Sequence, residues 1–292
     1  MDSALTEIGL PIALAIVMFG LGLDLTLADF RRVGKHPKAV LVALGCQLVL
    51  LPAVCFGLVV LFDLSPFLGI GMLLLAASPG GTTANLFSHL FRGDVALNIT
   101  LTAINSIVAI ATLPLITNLA IDYFDKNETV SMPLEEVVKV FALILVPTSL
   151  GMLTRARRPS FAAAMDRPVR LASAVILAVL VLGILLAEKD NVGGYFADVG
   201  LIAAVFCAIS LVVGYVVPRA FGVTEGQAIA SSFEIGVHNG TLAIFVAENI
   251  LEVNAIAIPG AIYSLIMIFL AAAWGVLISR RVGQREASRV AS

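Results

Sequence analysis

The sequence predicts an all-α integral membrane protein with about nine transmembrane helices. Of its 292 residues, 60% are hydrophobic and only 13% are charged, whereas a soluble domain typically carries about 25% charged residues. Mean hydropathy is +1.03, and the apolar residues form runs of about 20, the length with which a helix crosses a bilayer. Short polar connections separate these runs, and no stretch resembles a soluble domain. We therefore expect the lipid bilayer to surround most of the chain.

The predicted spans follow one another along the whole chain. They lie near residues 6–27, 39–62, 66–91, 94–121, 135–154, 169–187, 196–217, 225–250 and 256–279. Residues 1–7 carry Asp2 and Glu7 and no Lys or Arg, so we interpret the first span as retained and not as a cleaved signal peptide. We expect one transmembrane domain over residues 1–292, with a first repeat near 5–122 and a second near 134–281.

The Lys and Arg residues predict the orientation of the chain. With nine spans, 15 of the 18 fall on one side of the membrane, and only Lys126, Lys139 and Lys189 fall on the other. Because cytoplasmic loops carry the excess of Lys and Arg, we expect the N-terminus outside and the C-terminus in the cytoplasm. The expected location is the cell (inner) membrane, crossed several times.

Two of the predicted spans contain residues that interrupt a helix. The third carries Pro79, Gly80 and Gly81 near its middle, and the eighth has polar residues and two glycines between Ser231 and Thr241. Pro79 has no backbone N–H to donate, and unwound backbone in lipid is costly unless it surrounds a buried cavity. One interrupted span in each half of a chain is typical of transporters built from inverted repeats.

Glu234 lies within the second interruption. A carboxylate near the bilayer centre costs about 2.5–3.5 kcal/mol on insertion scales and is a functional candidate by default. No Lys or Arg lies at comparable depth in another predicted span, so a bound sodium ion or a proton is the expected neutralising partner. A purely structural hydrogen bond between helices is the alternative role. The N-termini of the half-helices, near Thr82, Thr83, Asn239 and Gly240, can offer N–H groups to an anion.

Further polar residues lie at membrane depth. Asn98, Thr102 and Asn105 recur at spacings of four and three, which puts them on one helical face, and Gln47 lies midway along the second span. Each of these residues can equally be a hydrogen-bonding contact between helices. His238 can take up a proton near neutral pH or act as a neutral hydrogen-bonding residue beside a cavity.

These residues together resemble the bile acid:sodium symporter family, which also contains carriers of other organic anions. The resemblance runs over essentially the whole chain and rests on the order and spacing of several motifs. These are Met18 to Leu23, Lys35 to Lys38, Ser78 to Asn85, Arg92 to Asn98, Glu234 to Gly240 and Pro259 to Ala261. It implies an inverted-repeat transporter in which two interrupted helices cross, with a core domain and a panel of helices that moves against it.

The resemblance also implies residue roles. A first sodium site maps to Asn85, Asn98, Thr102 and Glu234. A second maps to Gln47, Glu234, His238 and the backbone carbonyls of Ile235 and Val237. Ala84 stands where relatives often have a serine, and His238 where a glutamine is usual, so the resemblance leaves one or two sodium sites open.

We therefore expect sodium-coupled symport of an organic anion, bile-acid-like or a small carboxylate, by alternating access. The alternative is a proton-coupled carrier that uses Glu234 and His238. Thr82, Thr83, Asn239 and Gly240 are the expected substrate contacts. We expect no cofactor beyond sodium as coupling ion, no other metal, no nucleic acid and no obligate protein partner. An enzyme is not expected, because the spans show no Ser/His pair, paired aspartates or HExxH motif, and no repeat indicates a channel.

Overall fold

A computed structural model describes residues 9–125, 130, 132–187, 189 and 191–290. Within these ranges every regular element is a helix, and no strand is formed, which confirms the predicted all-α class. Strong local signals begin several helices. Asp94 caps one helix by accepting a hydrogen bond from the Leu97 N–H at 3.0 Å, and Thr26 opens another with a capping box, both of which satisfy N–H groups that a helix start leaves without partners.

The described residues of the first half of the chain form seven α-helices, α1 to α7. Their bounds are Leu10–Asp24, Leu27–Arg32, Pro37–Gly45, Leu51–Leu61, Pro66–Ala77, Thr82–Leu90 and Val95–Phe124. A π-helical turn over Cys46–Leu50 joins α3 to α4. Nothing in the sequence predicts this turn, which lies inside the second predicted span. Single π-helical turns within helices occur frequently at functional sites, and this one contains Gln47.

In the second half, the part of the chain that the structure describes forms six helices, α8 to α13. Their bounds are Leu134–Arg157, Pro159–Ala187, Val192–Ala220, Glu225–Gly236, Gly240–Asn249 and Asn254–Val290. The third predicted span is thus two helices, α5 and α6, and the eighth is likewise two, α11 and α12. Each break lies where the sequence predicted an interruption.

Six segments of the described residues are long and apolar enough to cross a membrane. They are Pro37–Leu61, Val95–Phe124, Glu135–Arg157, Arg167–Leu186, Val192–Ala220 and Asn254–Arg280. Two more helices, Leu10–Asp24 and Pro66–Ala77, are apolar but shorter. All eight segments overlap spans that the sequence predicted.

Glycines allow the helix backbones to approach closely. A Cβ atom on Gly22 of α1 would lie 2.1 Å from the Thr148 carbonyl oxygen of α8, and one on Gly71 of α5 would lie 2.3 Å from the Ile256 carbonyl oxygen of α13. Small residues at such contacts are typical of packing between membrane helices. The helix α1 packs mainly against α8 and α9, whereas α5 packs against α7 and α13, and α10 packs against α11 and α13.

Candidate functional site

The two helix breaks cross each other inside the protein. Gly80, between α5 and α6, and His238, between α11 and α12, form an antiparallel backbone bridge. The Asn239 N–H donates to the Pro79 carbonyl at 2.9 Å, and the Asn239 side chain accepts from the Leu242 N–H at 3.1 Å, which caps α12. The unwound backbone of each break therefore supplies partners for the other, as the buried position requires.

Glu234 lies next to this crossing and is fully buried. Its carboxylate accepts hydrogen bonds from Thr102 Oγ1 at 2.5 Å and from Asn105 Nδ2 at 3.1 Å, both on α7. A Cβ atom on Gly80 would lie only 2.6 Å from the carboxylate, so the backbone of the other break touches it. Among the described residues, no Lys or Arg forms an ion pair with Glu234. The carboxylate is held by neutral donors alone.

Buried polar atoms with no protein hydrogen-bond partner lie on α6 and α7, two helices that pack against α11. Asn98 donates through Nδ2 to the Ala230 carbonyl of α11 at 2.7 Å, which leaves its Oδ1 without a hydrogen bond. Asn85 is buried on α6, and neither end of its amide has a partner. Leaving a buried polar group unsatisfied costs about 1–3 kcal/mol. Amide and carboxylate oxygens in this arrangement fit a hard cation such as sodium.

A second group of polar side chains converges on the Ser78 carbonyl. Gln47 Nε2 donates to it at 3.1 Å, and His238 Nδ1 lies 3.2 Å from it. Because a carbonyl only accepts, this contact needs the hydrogen on Nδ1 of His238. Gln47 Oε1 and His238 Nε2 have no hydrogen-bond partner. The imidazole stacks on the Phe206 ring with a centroid distance of 5.6 Å.

The end of α11 brings backbone carbonyls to the same region. Ile235 and Val237 are buried there, at a helix end, where the last carbonyls have no intrahelical N–H partner. The Gly236 carbonyl accepts from the Tyr263 hydroxyl at 2.8 Å. The structure therefore brings the predicted second set together in part: Gln47 and His238 share one carbonyl, and Ile235 and Val237 lie at the end of α11 that leads to His238.

A cavity of about 520 Å³ lies on another side of the crossing. All four predicted substrate-contact residues line it: Thr82, Thr83, Asn239 and Gly240. Thr82 and Gly240 are the first residues of α6 and α12, so both half-helix N-termini border this space. Helices α1, α9 and α13 form the remaining walls. The half-helix N-termini at the crossing therefore border the cavity, whereas Glu234 is not among the residues that line it.

Sequence reasoning left several residues of this region out of the predicted site. Asn105 was recognised as sharing a face with Thr102, and that spacing was the signal that could have assigned it to Glu234. The role of the Ser78 carbonyl and the contact of Gly80 with the carboxylate depend on the crossing and had no signal in the sequence. Arg170 was counted among the loop cations, but it lines the cavity.

Comparison with known proteins identifies the family. Residues 11–194, more than half of the chain, match the Sodium Bile acid symporter family. The chain belongs to this family. Membership confirms the resemblance that the motifs predicted, and with it the prediction of a membrane transporter with several spans that is not an enzyme.

Several relatives align with the chain beyond the matched range. The uncharacterized sodium-dependent transporter YocS of Bacillus subtilis is 24% identical over 253 residues, which cover 87% of this chain and 77% of YocS. The human ileal sodium/bile acid cotransporter is 24% identical over 267 residues, 90% of this chain and 76% of its own. Alignments of that length must take in part of residues 195–292, where the second break lies.

The human P3 protein is also similar to this symporter-family chain, with 27% identity over 226 residues. That alignment covers 76% of this chain but only 47% of the P3 protein. The chain therefore spans about half the length of that relative and about three quarters of the other two.

Proposed function

We propose that this protein is a sodium-coupled symporter that moves an organic anion across the cell membrane by alternating access. One observation carries the proposal. The crossing of two broken helices buries the Glu234 carboxylate with neutral donors only, while buried amide oxygens without partners lie on the helices around it. A cation is the group that such a carboxylate and such oxygens can bind together.

The proposed topology has nine spans in one domain, residues 1–292. The broken spans α5–α6 and α11–α12 occupy equivalent places in two inverted repeats, near residues 5–122 and 134–281, which is the arrangement of many secondary transporters. Helices α1, α8 and α9, which pack against one another, would form the moving panel, and the other helices the core. The Lys and Arg distribution supports an N-terminus outside and a C-terminus in the cytoplasm.

The proposed first sodium site uses side-chain oxygens of Asn85, Asn98, Thr102 and Glu234. Thr102 and Glu234 already contact each other, and Asn98 ties α7 to α11. Asn105 would hold the carboxylate in place through its amide. Bound sodium would neutralise the buried charge, which otherwise makes the site costly.

The proposed second site uses Gln47, Glu234, His238 and the carbonyls of Ile235 and Val237. The side-chain oxygen of Gln47, which has no hydrogen-bond partner, supports this assignment. Its position in the π-helical turn also supports it, since such turns often present groups to a ligand.

The proposed substrate site is the 520 Å³ cavity. Drug-sized ligands occupy cavities of about 300–1,000 Å³, so the volume suits either a bile-acid-like molecule or a small carboxylate. The N–H groups at the starts of α6 and α12, next to Thr82, Thr83, Asn239 and Gly240, would receive the anionic group. Because the same crossing holds both half-helices and the sodium ligands, sodium binding would fix the geometry that the anion needs.

Uptake into proteoliposomes tests this proposal. A panel of radiolabelled organic acids is offered with an inward sodium gradient, and with potassium in its place. We expect accumulation only with sodium, and loss of accumulation in Glu234→Gln. Glu225→Gln is the matched control, because Glu225 lies at the start of the same helix in an ion pair with Arg219 at 3.3 Å, away from the crossing. Accumulation that ignores the sodium gradient in all three proteins would refute sodium coupling.

His238 favours a second candidate, a proton-coupled carrier that uses Glu234 and His238. Its imidazole offers nitrogen, which is a poorer ligand for sodium than an amide oxygen, and its Nε2 has no protein partner. The variant His238→Gln separates the candidates. If protons drive transport, this change removes the dependence of uptake on external pH. If sodium drives it, uptake keeps its sodium dependence, and sodium affinity rises because an oxygen ligand is gained.

A further inference from the structure

One face of α9 forms a complete wall of the cavity. The residues that line it follow one another at alternating spacings of three and one, so that they recur every four residues on one side of the helix. They are Arg170, Ser173, Ala174, Leu177, Ala178, Val181 and Leu182. At a rise of 1.5 Å per residue, this wall extends for about 18 Å. Six of its members are small or apolar, and Arg170 carries the charge at one end.

Arg170 and Ser173 make this end of the wall polar. Among the described residues that line the cavity, Arg170 is the one Lys or Arg, none is acidic, and His238 at the crossing is the other ionisable side chain. Ser173 lies one turn further along α9, is 9% exposed, and its hydroxyl has no hydrogen-bond partner. These two polar side chains lie one turn apart at one end of a wall that is otherwise apolar, where they could bind the same ligand group.

The guanidinium of Arg170 also interacts with another group of the protein. This does not remove its capacity for a ligand, because a guanidinium has five N–H donors in a planar fork. That fork matches the two oxygens of a carboxylate or the oxygens of a sulfonate. The Ser173 hydroxyl can donate a further hydrogen bond to the same group.

We propose that Arg170 and Ser173 form a second anion subsite, so that the transported substrate carries two acidic groups joined by an apolar body. This inference rests on the proposed function, in which the first acidic group lies at the N-termini of α6 and α12. Those N-termini belong to the crossing, whereas Arg170 belongs to the facing helix α9. The apolar residues of α9, together with Leu21 and Leu86 across the cavity, accommodate the hydrocarbon between the two acidic groups.

The two subsites predict a preference for diacids over monoacids. A hydrogen bond to a charged group contributes enough for a tenfold gain in affinity or more. A diacid gains this contact at Arg170, and a monoacid of the same skeleton does not. Because the two subsites lie on different helices, only a diacid of suitable length can reach both.

Binding to the purified, detergent-solubilised protein in sodium tests the subsite. The probes are straight-chain diacids of increasing length, the monoacids of equal length, and a steroid monocarboxylate with and without a second acidic group. The variants are Arg170→Gln, Arg170→Lys and Ser173→Ala. Arg167→Gln is the matched control, since Arg167 is on the same helix but is exposed and does not line the cavity.

We expect the best diacid to bind at least tenfold more tightly than its monoacid. Arg170→Gln should abolish this preference by weakening diacid binding far more than monoacid binding, Arg170→Lys should restore part of it, and Ser173→Ala should reduce it. Arg167→Gln should behave as the wild type. Equal binding of diacid and monoacid, or a preference that survives Arg170→Gln, overturns the second subsite and leaves the proposed function standing. Failure of every probe to bind in a sodium-dependent way contradicts the proposed function, and the subsite falls with it.

Discussion

Replacing Gly80 by alanine changes the crossing by a single methyl group. A Cβ atom at this position would lie 2.6 Å from the Glu234 carboxylate carbon and from both of its oxygens, whereas ordinary contact begins at 3.4 Å. The neighbouring Gly81 is the matched control, because a Cβ atom there has nothing within 4 Å. Both substitutions make the same chemical change, one residue apart in the same break, and only one of them reaches the carboxylate.

The effect on sodium affinity follows from this displacement. The carboxylate must retreat by about 0.8 Å, the difference between 3.4 Å and 2.6 Å. We take about 2.4 Å as the distance between sodium, a hard cation, and its oxygen ligands. With an effective dielectric constant of about 20, moving one charge from 2.4 Å to 3.2 Å weakens the attraction by about 1.7 kcal/mol, which is roughly a 20-fold loss of affinity.

Titration of the purified protein with sodium, at constant ionic strength with choline, measures this loss. The midpoint of thermal unfolding rises with ligand concentration when the ligand binds the folded state, so the sodium dependence of that midpoint reports affinity. We expect Gly80→Ala to need roughly 20 times more sodium and Gly81→Ala to stay within about twofold of the wild type. Equal sodium responses in the two variants would refute the claim that the Glu234 carboxylate binds the ion.

Three other substitutions have expected outcomes of their own. Thr102→Val removes the hydroxyl oxygen that the proposed first site offers to sodium and should lower sodium affinity roughly tenfold, which corresponds to about 1.4 kcal/mol. Thr100→Val, which loses only a bond to a carbonyl of its own helix, should leave affinity unchanged. Tyr263→Phe leaves the Gly236 carbonyl with only the weak Cys207 thiol donor at 3.8 Å and should lower the free energy of unfolding by about 1–3 kcal/mol, measured as a lower midpoint of thermal unfolding. Gly22→Ala puts a methyl group 2.1 Å from a backbone carbonyl of α8 and should reduce the yield of folded protein in size-exclusion chromatography.

The breaks in the third and eighth predicted spans could be found from the sequence because their signals are local. Proline followed by two glycines interrupts a helix in any surroundings, and a lone carboxylate in an apolar run stands out by its cost. The face shared by Thr102 and Asn105 is equally local, since it follows from helical spacing. Both residues do contact Glu234.

Other parts of the site depend on contacts between distant segments. The π-helical turn at Gln47 has no proline or glycine within it, so nothing in Cys46–Leu50 distinguishes it from ordinary apolar helix. The bond from Asn239 to Pro79 joins residues that are 160 positions apart. Arg170 lies close to the predicted start of a span, and its placement in the cavity depends on the packing of α9 against α1. Charge and hydropathy alone could not distinguish it from a loop cation.

In the proposed mechanism, the crossing links the bound ion to the bound anion. Few backbone contacts hold the two breaks together, chiefly the Gly80–His238 bridge and the Asn239–Pro79 hydrogen bond. An ion bound by Glu234 on α11 and by oxygens of α6 and α7 would connect these three helices more strongly than the backbone contacts do. It would thereby fix the positions of both half-helix N-termini.

Coupling of this kind is reciprocal. If sodium raises the affinity for the anion by a given factor, the anion must raise the affinity for sodium by the same factor. Sodium titrations with and without a bound acid therefore have to agree with acid titrations with and without sodium, and unequal factors would show that the ion and the anion are not linked through one equilibrium.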